Sequence, residues 1–308
     1  MRTFLRAGAI AFAASSVLLT GAVAAQAAPT AGVDFSLSPV ILEPGDVGHT
    51  GSLQVKIFNG TDEDFSGPIW FTEPVAGIFD TTDDLICASG ALPDGRAKFF
   101  CDLASSIPAG GSTTVAYRFD APAAPKPFAR ISAQLGSIQI GDVTKDYPAL
   151  FRSTTGSVDN PVPYTPQTTQ NLTATTDDDV TLTRQADGTF AGTLPVTVRN
   201  NNDAPHDNLG SELAIPAGLD EFPYAPDGVC VPGSSLPTPP GGADASCSFD
   251  GKLHEGESRT FEWLLTAPAD APVGPLGTAT TRVNLANGAA EPQTDNANVS
   301  SFSVTLAG

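Results

Sequence analysis

Apolar and polar side chains alternate along much of this chain in short runs. Leu53, Val55 and Ile57, for example, occupy every second position of one run. This period of two is typical of antiparallel strands with one buried face. Further runs of this kind occupy residues 35–37, 115–119, 129–135, 138–140, 180–182, 194–198, 261–265, 283–285 and 302–306. Proline and glycine clusters separate the runs and no stretch keeps a helical period, so the pattern predicts an all-β fold of β-sandwiches.

Two parts of the chain share one pattern. The segment from Cys101, CDLASSIPAGGSTTVAYRFDAP, aligns without a gap with the segment from Cys247, CSFDGKLHEGESRTFEWLLTAP. Upstream, GSLQVKIFN from Gly51 aligns with GTLPVTVRN from Gly192. Because strands, turn glycines and cysteines all correspond, we expect one domain to occur twice. Each copy is long enough to bury a core of its own.

Composition then divides the chain. We predict domain 1 over residues 31–152 and domain 2 over residues 177–308. Residues 153–176 between them are rich in threonine and proline and poor in apolar side chains, which is typical of a linker.

The first 27 residues have the composition of a secretory signal peptide. Arg2 and Arg6 precede an uncharged apolar stretch that ends in the small-x-small sequence Ala25-Gln26-Ala27. An uncleaved anchor is the alternative, because the uncharged stretch is long enough to span a bilayer. No later run is long and apolar enough to span, so the mature chain is expected to be secreted or associated with the cell surface, without a stable membrane span.

The four cysteines fall two in each copy, Cys87 with Cys101 and Cys230 with Cys247. Four cysteines allow three pairings, and the repeat favours pairing within each copy because equivalent cysteines should form equivalent bonds. An exported chain meets an oxidising compartment. A zinc site is the alternative, but no pair has the Cys-x-x-Cys spacing. The sequence therefore predicts two disulfide bonds, one in each domain.

Together these features resemble a known group of domains. The resemblance rests on strands that end in Asn59 and Asn200, on the two cysteine pairs, and on the matched segments 107–114 and 253–260. The group is that of the immunoglobulin-like conserved-repeat and CARDB-type domains of bacterial secreted and cell-surface proteins. It implies two tandem immunoglobulin-like β-sandwiches that serve, without catalysis, as a spacer or an interaction module. Copy two departs from the pattern by a proline- and glycine-rich insertion, residues 232–242.

The net charge and the histidine content argue against two classes of function, nucleic-acid binding and catalysis. With 34 acidic and 15 basic residues the net charge is −19, which excludes a nucleic-acid-binding protein, since that class needs basic patches. The only histidines, His49, His206 and His254, are expected as isolated surface residues, and there is no Gly-x-Ser-x-Gly motif. We therefore predict a protein that is not an enzyme and whose partner is a protein or a cell-wall polysaccharide. An enzyme with acids converging from separate loops is the alternative.

One acidic segment follows a calcium-loop spacing. Asp62, Asp64 and Ser66 would supply oxygen ligands, and Glu73 a bidentate carboxylate. Calcium is therefore the one candidate cofactor. The alternative is an acidic hairpin turn, because a strand starting at Ile69 would carry Glu73 away from Asp62 by about 3.3 Å per residue.

Trp70 is the candidate binding residue. If Ile69 and Phe71 face the core, alternation turns Trp70 to the opposite face. An exposed tryptophan can stack on a sugar ring or anchor a partner protein, which gives a carbohydrate- or cell-wall-binding module as the second functional hypothesis. Cover by a neighbouring part of the chain is the alternative for Trp70, whereas Trp263 lies inward in its alternating run and is expected in a core.

Overall fold

The computed structural model describes residues 32–82, 85–220 and 222–308. The predicted signal peptide, residues 1–27, lies outside these described residues. Within them the chain forms strands and turns and no helix, so the all-β prediction is confirmed. Accordingly, the described part of the chain has no helix that is long and apolar enough to cross a membrane.

The first half of the described chain, residues 32–164, forms two sheets. Its strands are β1 (Val33–Leu37), β2 (Val40–Pro44), β3 (His49–Asn59), β4 (Ile69–Thr72), β5 (Phe79–Thr82), β6 (Leu85–Ala91), β7 (Ala97–Leu103), β8 (Ser112–Ala121), β9 (Arg130–Ser132), β10 (Gly136–Ile140), β11 (Val143–Tyr147), β12 (Ala149–Phe151) and β13 (Val162–Tyr164). The eight-stranded sheet has the order β13-β9-β12-β2-β3-β8-β5, with β1 also paired to β3. The five-stranded sheet has the order β11-β10-β4-β7-β6.

These two sheets share one apolar core. Val55 and Tyr117 of the eight-stranded sheet and Phe71 and Ile138 of the five-stranded sheet are fully buried in the same cluster. Each comes from an alternating run whose apolar side chains line one face of a strand. The first half is therefore sandwich-like, with the core between its sheets.

The second half, residues 172–308, encloses a separate core. Its strands are β14 (Leu172–Thr176), β15 (Asp179–Arg184), β16 (Phe190–Asn200), β17 (Asn208–Ile215), β18 (Val229–Pro232), β19 (Ala243–Asp250), β20 (Ser258–Ala267), β21 (Gly274–Ala286) and β22 (Val299–Ala307). They join in one nine-stranded sheet of order β14-β16-β15-β22-β21-β17-β19-β18, with β20 paired to β16. Leu194, Trp263 and Val304 are fully buried in this core.

The matched segments of the two halves pair in the same register. Leu53 of β3 lies opposite Tyr117 of β8, and Leu194 of β16 lies opposite Trp263 of β20. In the sequence alignment Leu53 corresponds to Leu194 and Tyr117 to Trp263. Equivalent positions therefore make equivalent cross-strand pairs inside each core.

Residues 153–176, predicted as a linker, do not form a free connection. Within this segment β13 adds in parallel to β9 of the first half, and β14 adds to β16 of the second half. Tyr164 is buried, and its hydroxyl donates a hydrogen bond of 2.9 Å to Asp203. Short strands such as these satisfy their backbone groups in a neighbouring sheet, which a composition rich in threonine and proline does not reveal. The domain boundaries themselves stay a prediction.

Candidate functional site at the junction of the two halves

The two predicted disulfide bonds are present, Cys87 with Cys101 and Cys230 with Cys247. Each joins neighbouring strands, β6 to β7 and β18 to β19, at directly opposed residues. The Cα atoms lie 4.1 and 4.0 Å apart, a separation typical of an antiparallel pair without its own backbone hydrogen bonds. Both bonds thus fix the last strand of a sheet.

The structure does not bring the four candidate calcium ligands together. Asp62, Asp64 and Ser66 are exposed in the turn before β4, whereas Glu73 follows β4 and is 1% exposed. The strand separates them because it is extended, as the alternative of an acidic turn anticipates. No group of three or more His, Cys, Asp or Glu side chains within the described ranges is placed to hold a metal ion.

Glu73 instead organises the backbone around it. Its Oε1 accepts hydrogen bonds from the N–H groups of Gly77 at 3.0 Å and Ala97 at 2.6 Å, and its Oε2 accepts one from Phe79 at 3.2 Å. Burial raises the pKa of Glu73, while these three N–H donors and the charge of Lys252 oppose that rise. The carboxylate therefore holds the turn between β4 and β5 against β7.

Trp70 faces outward from β4, as the alternation predicts, and Ile69 and Phe71 on either side are fully buried. Its side chain is 37% exposed. The Phe100 ring meets the Trp70 ring edge-on at 4.8 Å, and Lys98 Nζ lies 4.7 Å from the Trp70 ring centre. Part of the indole is therefore covered by its own sheet, and the rest is open to solvent.

The expectation of isolated surface histidines is wrong. His49 and His206 are fully buried, and the ring of His254 is only 15% exposed. His49 begins strand β3 and the other two lie in loops, and all three segments pack against other parts of the chain instead of projecting into water. His206 and His254 both lie where the second half meets the first, a contact called the junction below. The junction comprises Gly48, Glu73, Gly77, Phe79, Asp120, Pro122, Ala124, Lys126 and Tyr164 of the first half and Asp203, Pro205, His206, Asp207, Lys252, His254 and Glu255 of the second.

Lys252 crosses the junction and is 7% exposed. Its ammonium donates to the backbone oxygens of Phe79 at 3.2 Å and Asp120 at 2.9 Å, and lies 4.0 Å from Asp207 Oδ1. Burial lowers the pKa of Lys252, and the surrounding carboxylates oppose that change. A second-half cation is thus held by carbonyl oxygens of the first half.

His254 makes the other charged contact across the junction. Its Nε2 lies 2.9 Å from Asp120 Oδ1, and its Nδ1 lies 3.0 Å from Glu257 Oε2. The hydrogen bond with Asp120 raises the pKa of His254, and burial only partly offsets this. Burial would raise the pKa of Asp120, but the hydrogen bond and charge of His254, with the charge of Lys252, outweigh it and lower that pKa.

His206 supports this arrangement as a neutral ring. Its Nε2 accepts the backbone N–H of Leu253 at 2.9 Å, and its Nδ1 donates to the carbonyl of Ala204 at 2.7 Å. Burial lowers the pKa of His206 to about 4, which keeps the ring uncharged at neutral pH. His206 therefore fixes the segment that presents Lys252 and His254.

Glu255 closes the opposite side of the junction. Its Oε2 accepts the backbone N–H of Ala124 at 2.9 Å, and its Oε1 pairs with Lys126 Nζ at 3.1 Å. Its own backbone N–H donates to the carbonyl of Pro122 at 2.7 Å. The segment around residue 254 is therefore bound through both its side chains and its backbone.

Two glycines permit the close approach of the halves. A Cβ on Gly48 would lie 2.3 Å from a ring carbon of His254, and a Cβ on Gly77 would lie 2.8 Å from Cβ of Pro205. Both glycines have positive φ, 60° and 70°, which other residues rarely adopt. Larger residues at these positions would push the halves apart.

A cleft of about 740 Å³ opens at the junction. The first half contributes the free sides of β5 and β6, and the second half contributes Asp207, Lys252 and residues 287–289. Phe79 and Phe99, whose ring centres lie 4.4 Å apart, form an apolar part of its wall. The volume lies within the range of small-ligand sites.

The sequence pattern does not reveal the junction residues, because the partners in each contact are far apart along the chain. His254 and Asp120 are separated by 134 positions. One sequence feature does distinguish them. Lys252 and His254 stand where the matched segment of the first copy has Ser106 and Pro108, so the charges occur in only one copy.

Comparison with known proteins gives no information on the function of this chain. No protein-family model matches the chain, and no curated protein does. Among solved structures it is similar to a protein of unknown function from Porphyromonas gingivalis W83, at 9% identity and a TM-score of 0.19. The match covers 89% of this chain and 98% of that chain, but likeness at this level carries no functional argument.

Proposed function

We propose that this chain is a secreted or cell-surface-associated protein of two tandem immunoglobulin-like β-sandwich domains. It acts without catalysis as a rigid spacer and interaction module. The observation that carries the proposal is the junction, in which buried charges of one half are bound by groups of the other. A module of this kind presents its surfaces at a fixed angle.

The two-domain organisation is supported by equivalent contacts outside the paired strands. Asn59 donates its side-chain N–H to the carbonyl of Ile107 at 2.9 Å, and Asn200 donates to the carbonyl of Leu253 at 2.7 Å. Asn59 aligns with Asn200 and Ile107 with Leu253. Each half also has its own core and its own disulfide. Secretion is supported by these disulfides and by the composition of residues 1–27.

Rigidity follows from the energetics of the junction. Domains of one chain move relative to each other by default unless their contact is strong. Here, opening would leave Lys252 without its carbonyl acceptors and would separate His254 from Asp120. Because water would solvate the separated groups, each of these hydrogen bonds to a charged group favours the closed arrangement by about 1.5–3 kcal/mol. Together they hold the two halves closed.

Residual dipolar couplings of the backbone amides test this rigidity. We expect couplings from the two halves to fit one alignment tensor in the native protein, because the junction holds them as one body. In a Gly77→Val variant, the clash with Pro205 should open the junction, and two different tensors should be needed.

The matched control is Gly141→Val. Gly141 also has a positive φ, 57°, but a Cβ there would meet no atom within 4 Å. This variant carries similar backbone strain and should keep a single tensor. Two tensors in the native protein would contradict the rigid-module proposal.

A second candidate function is carbohydrate binding, favoured by the exposed part of Trp70 and by the neighbouring Phe100 on the same face of the sheet. We expect Trp70→Ala to lose most of the retention on insoluble cell-wall polysaccharide, because sugar rings stack on indole. Phe222→Ala, which removes an aromatic side chain of similar exposure from the second half, is the control. Equal retention of the native protein and Trp70→Ala would reject this candidate.

A further inference from the structure

Strand β6 has a free edge whose hydrogen-bonding groups can be assigned. The N–H of Leu92 donates to the carbonyl of Arg96 at 2.7 Å, which marks these residues as a hydrogen-bonded pair of the hairpin between β6 and β7. Because such pairs alternate along an antiparallel ladder, Cys87, Ser89 and Ala91 direct their N–H and C=O groups away from β7. The short Cα separation at Cys87 agrees with this phase. No strand of the described chain pairs with this side of β6.

This edge opens into the junction cleft. Residues 89–91 line the cleft, and Ser89 and Ala91 are exposed. Proteins ordinarily protect an edge strand with charges or proline. The seven residues of β6, LICASGA, contain neither.

The equivalent strand of the second half is protected. Strand β18 carries the corresponding cysteine, Cys230, but has only four residues. The hydrogen bond from the N–H of Gly233 to the carbonyl of Asp244 marks these two residues as a hydrogen-bonded pair. By the same alternation, the backbone groups of Cys230 and Pro232 point away from β19, toward the free side of β18. Proline has no N–H to donate, and Cys230 is left as the one donor there. The open edge is therefore a property of β6 and not of the repeat.

Carboxylates surround the open edge. Asp80 is exposed in a β-bulge of β5, and Asp207 is 56% exposed on the opposite wall. Burial and the charge of Asp80 raise the pKa of Asp207, although Lys252 opposes this. The two cations of the cleft are already engaged, Lys252 with two carbonyl oxygens and Arg96 with the carbonyl of Leu135 at 2.7 Å and other acceptors. A positive charge between Asp80 and Asp207 would therefore be stabilised.

We propose that the junction cleft binds an extended peptide segment with a basic side chain, which adds as a further strand to the free edge of β6 and places that side chain between Asp80 and Asp207. Backbone hydrogen bonds would supply affinity, and the acidic pair would select the charge. The inference deepens the proposed function, because it gives the interaction module a partner class.

Charge favours a basic partner over a second copy of this chain. The net charge is −19, so two copies repel each other, whereas a basic segment is attracted over long range. The uncharged sequence of β6 lets such a segment approach without electrostatic penalty at the edge itself.

Fluorescence anisotropy with a synthetic peptide tests the proposal. The probe has seven residues, alternating valine and threonine around a central lysine, to match the length of β6. We expect saturable binding to the secreted chain. Methylating the backbone nitrogens on one edge of the probe should weaken binding about tenfold, because charge is kept while strand pairing is lost.

Charge selection is tested by a double-mutant cycle. The Asp80→Asn, Asp207→Asn variant should bind the lysine probe about tenfold more weakly than the native protein does, and should bind a glutamine probe equally well. Equal binding of the methylated probe, or no binding at millimolar probe, would overturn the proposal. A dimer of the chain that the probe does not dissociate would assign the edge to a second copy. A single alignment tensor together with no probe binding would reject this inference while leaving the rigid module intact.

Discussion

Replacing Glu73 with leucine is expected to lower the free energy of unfolding by about 3–5 kcal/mol. Three backbone N–H groups, those of Gly77, Phe79 and Ala97, donate to this one carboxylate in a fully buried site. Each buried donor left unsatisfied costs about 1–3 kcal/mol. Leucine fills the space but accepts no hydrogen bond, and the nearby ammonium of Lys252 loses a favourable charge. Urea denaturation of the native protein and the variant measures the difference.

Two further variants show whether the loss of stability comes from the hydrogen bonds of the buried carboxylate. Glu73→Gln keeps one carbonyl oxygen for two of the donors, so its loss should be smaller, about 1–2 kcal/mol. Asp62→Ala removes an exposed carboxylate and should change the free energy of unfolding by less than about 0.5 kcal/mol. A Glu73→Leu variant as stable as the native protein would contradict the role assigned to the carboxylate.

Glu73 shows which structural features around a residue a sequence pattern can predict and which it cannot. Its distance along the chain from Asp62 fits a calcium loop, and the alternation at Ile69 and Phe71 correctly indicates a strand in between. The alternation therefore predicts the strand that separates Asp62 from Glu73. It does not give the three N–H donors, because Ala97 lies on another strand and reaches Glu73 only through the sheet order.

Arg130 shows that the sequence pattern also fails to predict some buried residues. Alternation over residues 129–135 predicts an apolar strand, but the strand is β9, Arg130–Ser132, and Leu135 is 53% exposed. Arg130 is buried because its guanidinium lies over the rings of Phe151 and Tyr164, at 5.3 and 4.5 Å from their centres. Those rings come from β12 and β13, and Tyr164 lies in a segment that composition assigns to a linker.

Local periodicity thus predicts the strands and the core residues, because these depend on neighbours along the chain. The repeat predicts the two disulfides, because equivalent cysteines lie in each copy. The contacts of Lys252, His254 and Glu255 across the junction join residues more than a hundred positions apart, and these polar side chains follow no period in the sequence. The comparison of the two copies reveals the junction only indirectly, through Lys252 and His254 at positions where the first copy is uncharged.

The junction should weaken as pH rises above neutrality. His254 lies between Asp120 and Glu257, and its pKa is raised above its ordinary value of 6.5. Its contribution to stability is therefore fully present below about pH 6.5 and is lost as pH rises through the raised pKa. A charged hydrogen bond of this kind contributes about 1.5–3 kcal/mol. The free energy of unfolding at pH 6 and pH 9, with the NMR titration of the His254 ring, measures the effect.

Other titrating groups at the junction act in the opposite direction or outside this interval. Since the pKa of His206 is lowered to about 4, its ring is neutral in the folded protein but still titrates in the unfolded chain near its ordinary pKa of 6.5, so it makes stability rise slightly just above pH 6, in the native protein and the variant alike. The pKa of Asp120 is lowered, so its contribution is lost only as pH falls through that lowered value, in acid. The lowered pKa of Lys252 acts in the opposite direction, because the unfolded chain then binds more protons and stability rises with pH. His254→Gln is the control, because it keeps Lys252 and removes the imidazole. That variant should lose the step between pH 6 and 9, and an unchanged step would contradict the role assigned to His254.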